Sequence, residues 1–464
     1  MEDSVASAYG LLQKAVSLLV YQSVLETEIG QAFLQLLRQL CQIESDAGAS
    51  SLECLRAYGA WFKLLADRNQ SWQDYLLTAI LRDDNPFSRQ VQGDSISKRP
   101  ISEAAISEVA MQSFSTGLSP ALIAAVRQDL RILQVLYQCD GEQLSAWVQA
   151  IAHLPEPPVS WNSTTQVQDK LKAKFASLSD WADSLDLLSY HYQTQGTGLV
   201  AEYRAFRWQA GELVGIAHPD PVQVSNLVGY ELQREVLLKN TEFLLRGYAA
   251  LHVLLYGSRG SGKSSLVKGL LHQYGDRGLR LIEVAKSDLQ ALPAIANQLR
   301  SLPQKFIIFV DDLSFEEEEA DFKALKVVLE GNLTARPQNV VVYATSNRRH
   351  LIREFFGDRP RPKDGDEVHA WDTVQEKLSF SDRFGLTLTF EPPNQETYLQ
   401  IIHHLAQQAG ISLAPDDLEF RALQWATRHN GRSGRTARQF IDFLQAELSI
   451  PWGSSYEGSS RQPM

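Results

Sequence analysis

Residues 257–264 run Gly257-Ser258-Arg259-Gly260-Ser261-Gly262-Lys263-Ser264, a complete G-x-x-x-x-G-K-S phosphate loop. The glycines let backbone N–H groups turn inward around phosphate oxygens. Lys263 has the reach for β- and γ-phosphates, and the Ser264 hydroxyl is a Mg²⁺ ligand by type. The flanks suit the motif. Val253-Leu254-Leu255-Tyr256 is a short apolar run of strand length, and Ser264 to Leu271 has helical character. That helix would begin at Ser264 and Ser265 with its N-terminus facing the anion.

Downstream, Phe306-Ile307-Ile308-Phe309-Val310 is an apolar run that ends in Asp311-Asp312. A strand this apolar is buried on both faces, so its C-terminal end opens at a ligand crevice. Asp311 there suits Mg²⁺, directly or through water, and Asp312 suits an attacking water. Val340 to Ala344 is a further apolar strand, and Asn347 after it would stand beside the γ-phosphate, although Asn after a strand is also a common turn former. Arg383 precedes the strand-like run Leu386 to Phe390; an arginine in that place is either a phosphoryl-stabilising group or a surface ion pair. Arg435 and Arg438 sit three apart at the start of the final helical stretch, as lid cations or a charged helix face. Glu316 opens the run Glu316 to Glu319, which reads first as a solvated face, with Glu316 a second candidate to assist the water.

The chain has 464 residues with 44% hydrophobic and 21% charged, which is ordinary for globular domains. Its net charge of −11 speaks against sequence-independent nucleic-acid binding over the whole surface. Cys41, Cys54 and Cys139 lack metal-ligand spacing and suit reduced thiols in a cytosol, and the most apolar stretch, Leu11 to Leu25, is interrupted by Gln13, Lys14, Ser17 and Gln22, so a cytoplasmic location without a membrane partner is expected. Residues 1–210 read as an all-α N-terminal domain. Ile29, Phe33, Leu36 and Leu40 form one stripe, and Leu122, Val126, Leu130, Leu133 and Tyr137 another. Trp61, Trp72, Trp147, Trp161, Trp181 and Trp208 read as packing of that helical region. Residues 215–392 alternate strand and helix, 393–450 are helical again, and the polar tail 451–464 is expected to be disordered.

Phosphate loop, Asp pair, Asn after a strand, pre-strand Arg and lid Arg stand in the order typical of AAA+ ATPases, and residues 215–450 resemble that family. Leu227-Val228-Gly229-Tyr230-Glu231 resembles its segment near the adenine. Asp311-Asp312-Leu313-Ser314-Phe315, Tyr343 to Leu351, Ser381 to Gly385 and Arg432 to Arg435 look like a bacterial AAA+ group of unknown function. The resemblance implies an α/β core with a parallel sheet and a helical lid, binding ATP and Mg²⁺ between subunits of a homo-oligomeric ring or partial ring. It implies Lys263 as phosphate clamp, Ser264 and Asp311 on Mg²⁺, Asn347 as sensor, Arg383 as a finger acting in trans and Arg435 as lid sensor. Asp311-Asp312 replaces the commoner Asp-Glu and looks like the initiator and helicase-loader branch. Two functions follow: ATP hydrolysis that remodels or assembles a protein or nucleic-acid client, or a slow ATP-gated switch. A GTPase is disfavoured, because no Asn-Lys-x-Asp stands at a strand end to bind guanine.

Overall fold

A computed structural model describes residues 2–41, 47–95, 117–161, 170–314, 320–330, 336–347, 383–429 and 431–450. The chain forms two compact units, Met1–Tyr203 with Ser301–Gln304, and Arg204–Arg300 with Lys305–Met464.

The first unit is helical among its described residues. The helix Glu28–Cys41 buries Ile29, Phe33, Leu36 and Leu40, the stripe its 3.6-residue period predicts. Phe33 stacks on Trp72 with ring centroids 4.1 Å apart, and Trp61 meets Trp72 edge-on at 6.2 Å. Trp181 packs against Phe175 at 4.7 Å. The helix Pro120–Gln138 turns Val126, Leu130 and Leu133 inward, together with one charged residue, Asp129. Asp129 is fully buried and accepts the backbone N–H groups of Leu19, Val20 and Tyr21. Those bonds fix the turn after the first helix, Glu2–Val16.

The second unit is built on a seven-stranded sheet: β1 (Ala205–Gln209), β2 (Glu212–Gly215), β3 (Val253–Gly257), β4 (Leu279–Glu283), β5 (Lys305–Val310), β6 (Val340–Ser346) and β7 (Leu386–Phe390). Their order is β2-β1-β4-β5-β6-β3-β7. All neighbours pair in parallel except β1 and β2, which form an antiparallel edge. This edge corrects the expectation of helix up to residue 210. Phe206 and Trp208 face inward while Arg207 and Gln209 face out, and Ala210 and Gly211 turn the chain with φ of 52° and 90°. Positive φ at both turn residues matches the right-handed twist of the flanking strands. Trp208 therefore packs in the sheet unit and not among the helices.

β3, which leads into the phosphate loop, lies between β6 and β7, and β5 lies on the far side of β6. Phe306 to Val310 are each at most 1% exposed. Burial of such side chains contributes about 1.5–3 kcal/mol apiece, so the strand that presents the Asp pair is firmly held. The helices Gln395–Gln408, Pro415–Arg428 and Gly434–Ser449 form the C-terminal bundle around Tyr398, Ile402, Ala422, Phe440 and Ile441.

Candidate functional site

The loop between β3 and the helix Lys263–Tyr274 demands its glycines. Gly257, Gly260 and Gly262 have φ of 145°, 75° and 87°, a region that L-residues with a Cβ rarely adopt. A Cβ on Gly257 would stand 1.9 Å from the Phe390 carbonyl oxygen, which itself accepts the Ser258 N–H at 3.0 Å. Close approach of the loop to β7 therefore excludes any other residue at 257. The Lys263 ammonium lies folded over the loop. It donates to the carbonyls of Gly257 at 3.0 Å and Ser258 at 2.7 Å, and to Asn347 Oδ1 at 3.3 Å. Burial lowers its pKa from the ordinary lysine value, while Asp311 and Asp312 pull it back up.

Across the cavity, sheet register sets the carboxylates. Val310 pairs with Ala344, which brings Asp311 level with Thr345 at the C-terminal end of β6. From the phosphate-loop side, Ser264 Oγ donates to Asp311 Oδ1 at 2.6 Å. Asp312 follows in a left-handed conformation with φ of 51°. Its Oδ1 accepts from Asn347 Nδ2 at 2.6 Å, so Asn347 joins Lys263 to Asp312 through its two amide atoms.

The lid helix closes the third side. Its N-cap Ser433 accepts the Thr436 N–H, and Arg435 N–H donates to the Gly260 carbonyl at 3.3 Å. A Cβ on Gly260 would meet Ser433 Oγ at 2.9 Å and Arg435 Cβ at 3.1 Å, so the lid rests directly on the loop.

The resulting cavity holds about 940 Å³. Arg259, Gly260, Ser261, Gly262, Lys263, Ser264, Ser265, Asp311, Asp312, Asn347, Val228, Arg435 and Arg438 all line it. Gly257 and Ser258 stand behind the loop and hold Lys263 through their carbonyls. Gly229 lies off the cavity. With φ of 93°, it packs where a Cβ would stand 2.4 Å from Thr397 Cγ2, and so it sets the chain's path against the lid. Arg383 precedes β7, half-buried, and is not among the described residues that line the cavity. Glu316 lies outside the described residues.

Several lining residues were given no role in the sequence reading: Asp220, Pro221, Val222, Asn226, Thr345, Ile401, Leu405 and Gln439. Ile401 and Leu405 are one turn apart on a lid helix, and their apolar spacing reads equally as core. Thr345 stood inside the quoted stretch Tyr343 to Leu351 but was given no role of its own.

The donor set fits the groups the motif implies. Ser264 Oγ and the Asp311 carboxylate converge as two hard oxygen donors, which suits Mg²⁺, an ion that keeps several waters. Among the described residues no three His, Cys, Asp or Glu side chains gather into a metal cage, and Mg²⁺ does not require one. Four cations, Arg259, Lys263, Arg435 and Arg438, face the cavity against Asp220, Asp311 and Asp312. An excess of positive charge around an amide-lined loop suits a polyphosphate.

Residues 201–448, more than half of the chain, match the family described as "Protein of unknown function (DUF815)". Among solved structures, the chain is similar to the Thermotoga maritima RuvB Holliday junction branch migration motor, at 16% identity and a TM-score of 0.35. That match covers 49% of this chain and 66% of the other, just under two thirds of its length. It is also similar to AMPPCP-bound DnaA from Aquifex aeolicus, at 17% identity and a TM-score of 0.33, over 52% and 67% of the two chains. A structure described as a DNA replication initiation factor matches at 16% identity over 49% and 65%, with a TM-score of 0.32.

Proposed function

The chain belongs to the family described as protein of unknown function (DUF815), and from its phosphate loop and parallel sheet we propose an AAA+ P-loop, Mg²⁺-dependent ATPase that remodels or assembles a macromolecular partner. The observation that carries this is the convergence of Lys263, the Ser264–Asp311 pair and two lid arginines on one cavity. Phosphate oxygens would draw the Lys263 ammonium off the Gly257 and Ser258 carbonyls, exchanging neutral acceptors for charged ones. Inward N–H groups of the loop and the N-terminus of the following helix would hold the phosphates. Ser264 and Asp311 would hold Mg²⁺, whose charge would offset that of the phosphates. Asp312 and Asn347 would orient the water, and Arg435 or Arg438 would sense the phosphates from the lid. Catalysis of this kind is mostly positioning and charge neutralisation.

Arg383 stands as the residue that would act on a neighbouring copy's nucleotide. Arg383→Ala should leave ATP binding intact and abolish phosphate release. Mixing it with Lys263→Ala should restore activity in trans, because one interface then has both functional groups. Full phosphate release by Arg383→Ala alone removes the finger role and, with it, the homo-oligomeric assembly it implies.

A second reading, a slow ATP-gated switch of helicase-loader type, is favoured by one observation. Asp312 is held by Asn347 Nδ2 at 2.6 Å, and its side chain is one methylene shorter than glutamate. Steady-state phosphate release, with and without DNA or protein partners, separates the two. Release near zero throughout, with ATP bound, favours the switch. Competition of ATP with GTP tests base choice, and GTP preference would contradict both readings.

A further inference from the structure

Thr345, next to last in β6, is almost fully buried, at 2% exposure. Its hydroxyl donates to Asp311 Oδ1 at 2.5 Å and accepts the Asp312 N–H at 3.0 Å. Its carbonyl accepts the Leu313 N–H at 2.7 Å, and the neighbouring Ser346 Oγ donates to the Leu313 carbonyl at 2.8 Å. The turn 311–313 is thus strapped to β6 by four hydrogen bonds. Asp312 needs such a strap, because its left-handed backbone costs of order 1 kcal/mol and persists only where the surroundings over-determine it.

The same bonds divide the Asp311 carboxylate. Oδ1 accepts from Ser264 Oγ at 2.6 Å, from Thr345 Oγ1 and from the Asp312 N–H at 3.2 Å. Oδ2 accepts from none of the described residues. A carboxylate oxygen with three donors is spent, so the other is left for a ligand.

We propose that Thr345 is a positioning residue for the cation site: it saturates Asp311 Oδ1, leaves Oδ2 to Mg²⁺ or to a water on it, and holds Asp312 in its turn. This role rests on the nucleotide and Mg²⁺ reading above. The bland alternative is a buried threonine that only satisfies its neighbours and stabilises the fold. The two differ in what a valine, equal in shape but without the hydroxyl, would change.

The test uses the full chain and a fluorescent ATP analogue titrated in EDTA and in saturating Mg²⁺. The ratio of the two affinities is the metal-dependent gain. Thr345→Val should reduce that gain about 10-fold, as removal of an outer partner of a metal ligand does, while affinity in EDTA stays within about twofold. Thr345→Ser should restore the gain. A Mn²⁺ titration followed by electron paramagnetic resonance should give the same ratios without turnover. Thr345→Val with the full gain overturns the proposal. So does an equal loss in EDTA and Mg²⁺ that Thr345→Ser fails to repair, which marks a purely structural role. If Thr345→Val does not fold, Thr345→Ala is measured in its place, and failure of both to fold also decides for the structural role. A wild-type chain that binds no ATP in either buffer overturns the nucleotide reading itself, whereas normal wild-type binding with an unaffected valine variant overturns Thr345 alone.

Discussion

Asp129 in the helical unit and Asp311 in the sheet unit are both carboxylates clasped by several donors, and they differ in what is left over. Asp129 takes the Leu19 N–H on both oxygens, at 3.1 and 3.0 Å, and the Val20 and Tyr21 N–H groups on Oδ2 at 2.6 and 3.0 Å. Both oxygens accept from the chain's own backbone, Oδ1 through the shared Leu19 N–H alone, in a fully buried place. Asp311 takes three donors on Oδ1 alone, beside an open cavity. The lesson is to count spent oxygens. A carboxylate with both oxygens satisfied closes a fold, and one with an oxygen to spare is poised for a ligand.

The largest effect that sharpens this contrast comes from Asp129→Ala. Three backbone donors would lose their acceptor, that of Tyr21 buried and those of Leu19 and Val20 only partly so. At about 1–3 kcal/mol for the buried one and less for the two that water can reach, unfolding should be easier by about 2–4 kcal/mol. Calorimetry reads this as a lowered melting transition with unchanged ATP-analogue affinity. A parallel loss of nucleotide affinity would break the division of roles. Next in size, Lys263→Ala should weaken nucleotide binding about 100-fold, or about 2.7 kcal/mol, with little change in melting temperature.

A third effect concerns pH. His252 is 3% exposed, and its Nδ1 accepts the Val342 N–H at 2.9 Å. Burial, with the Arg336 charge nearby, pushes its pKa down to about 3 from the ordinary histidine value of 6.5. The folded state holds this imidazole neutral, so below pH 6.5 the unfolded state binds the extra proton. Stability from this group is full above pH 6.5 and is lost as pH falls towards about 3. The loss is about 2 kcal/mol by pH 5, from ~1.4 kcal/mol per pH unit. His252→Asn, whose side-chain oxygen can accept the same N–H, should flatten the melting temperature between pH 6.5 and 5 relative to wild type. An unchanged slope would show that His252 is not the titrating group. The smallest effect is Ser433→Ala, which removes the lid helix cap and should cost about 1 kcal/mol of stability. Equal stability of the variant would show that contact with Gly260, and not the cap, holds this helix end.

Much of the sheet unit was legible because its elements are punctuated. The four apolar runs named from the sequence correspond to β3, β5, β6 and β7, since each is short, β-branched or aromatic and bounded by turn formers. The edge pair β1–β2 was not, because Phe206 and Trp208 alternate over too few residues and follow a long helical stretch. At the site, Lys263, Ser264 and Asp311 could be named because phosphate chemistry fixes residue type and spacing. Thr345 could not, since its role depends on the Val310–Ala344 register, a long-range pairing that local pattern does not encode. Asp129 was hidden for the same reason. Its partners lie more than 100 positions away, and a lone acid on an apolar helix face reads as solvated.

The most direct measurement is a crystal structure with a non-hydrolysable ATP analogue and Mn²⁺, whose anomalous signal locates the metal. The expected result is metal at ligand distance from Ser264 Oγ and directly or through water at Asp311, with Lys263 moved from the Gly257 and Ser258 carbonyls onto β- and γ-phosphate oxygens. Nucleotide bound elsewhere, or Lys263 still folded on its own loop with the phosphates in place, would contradict the account.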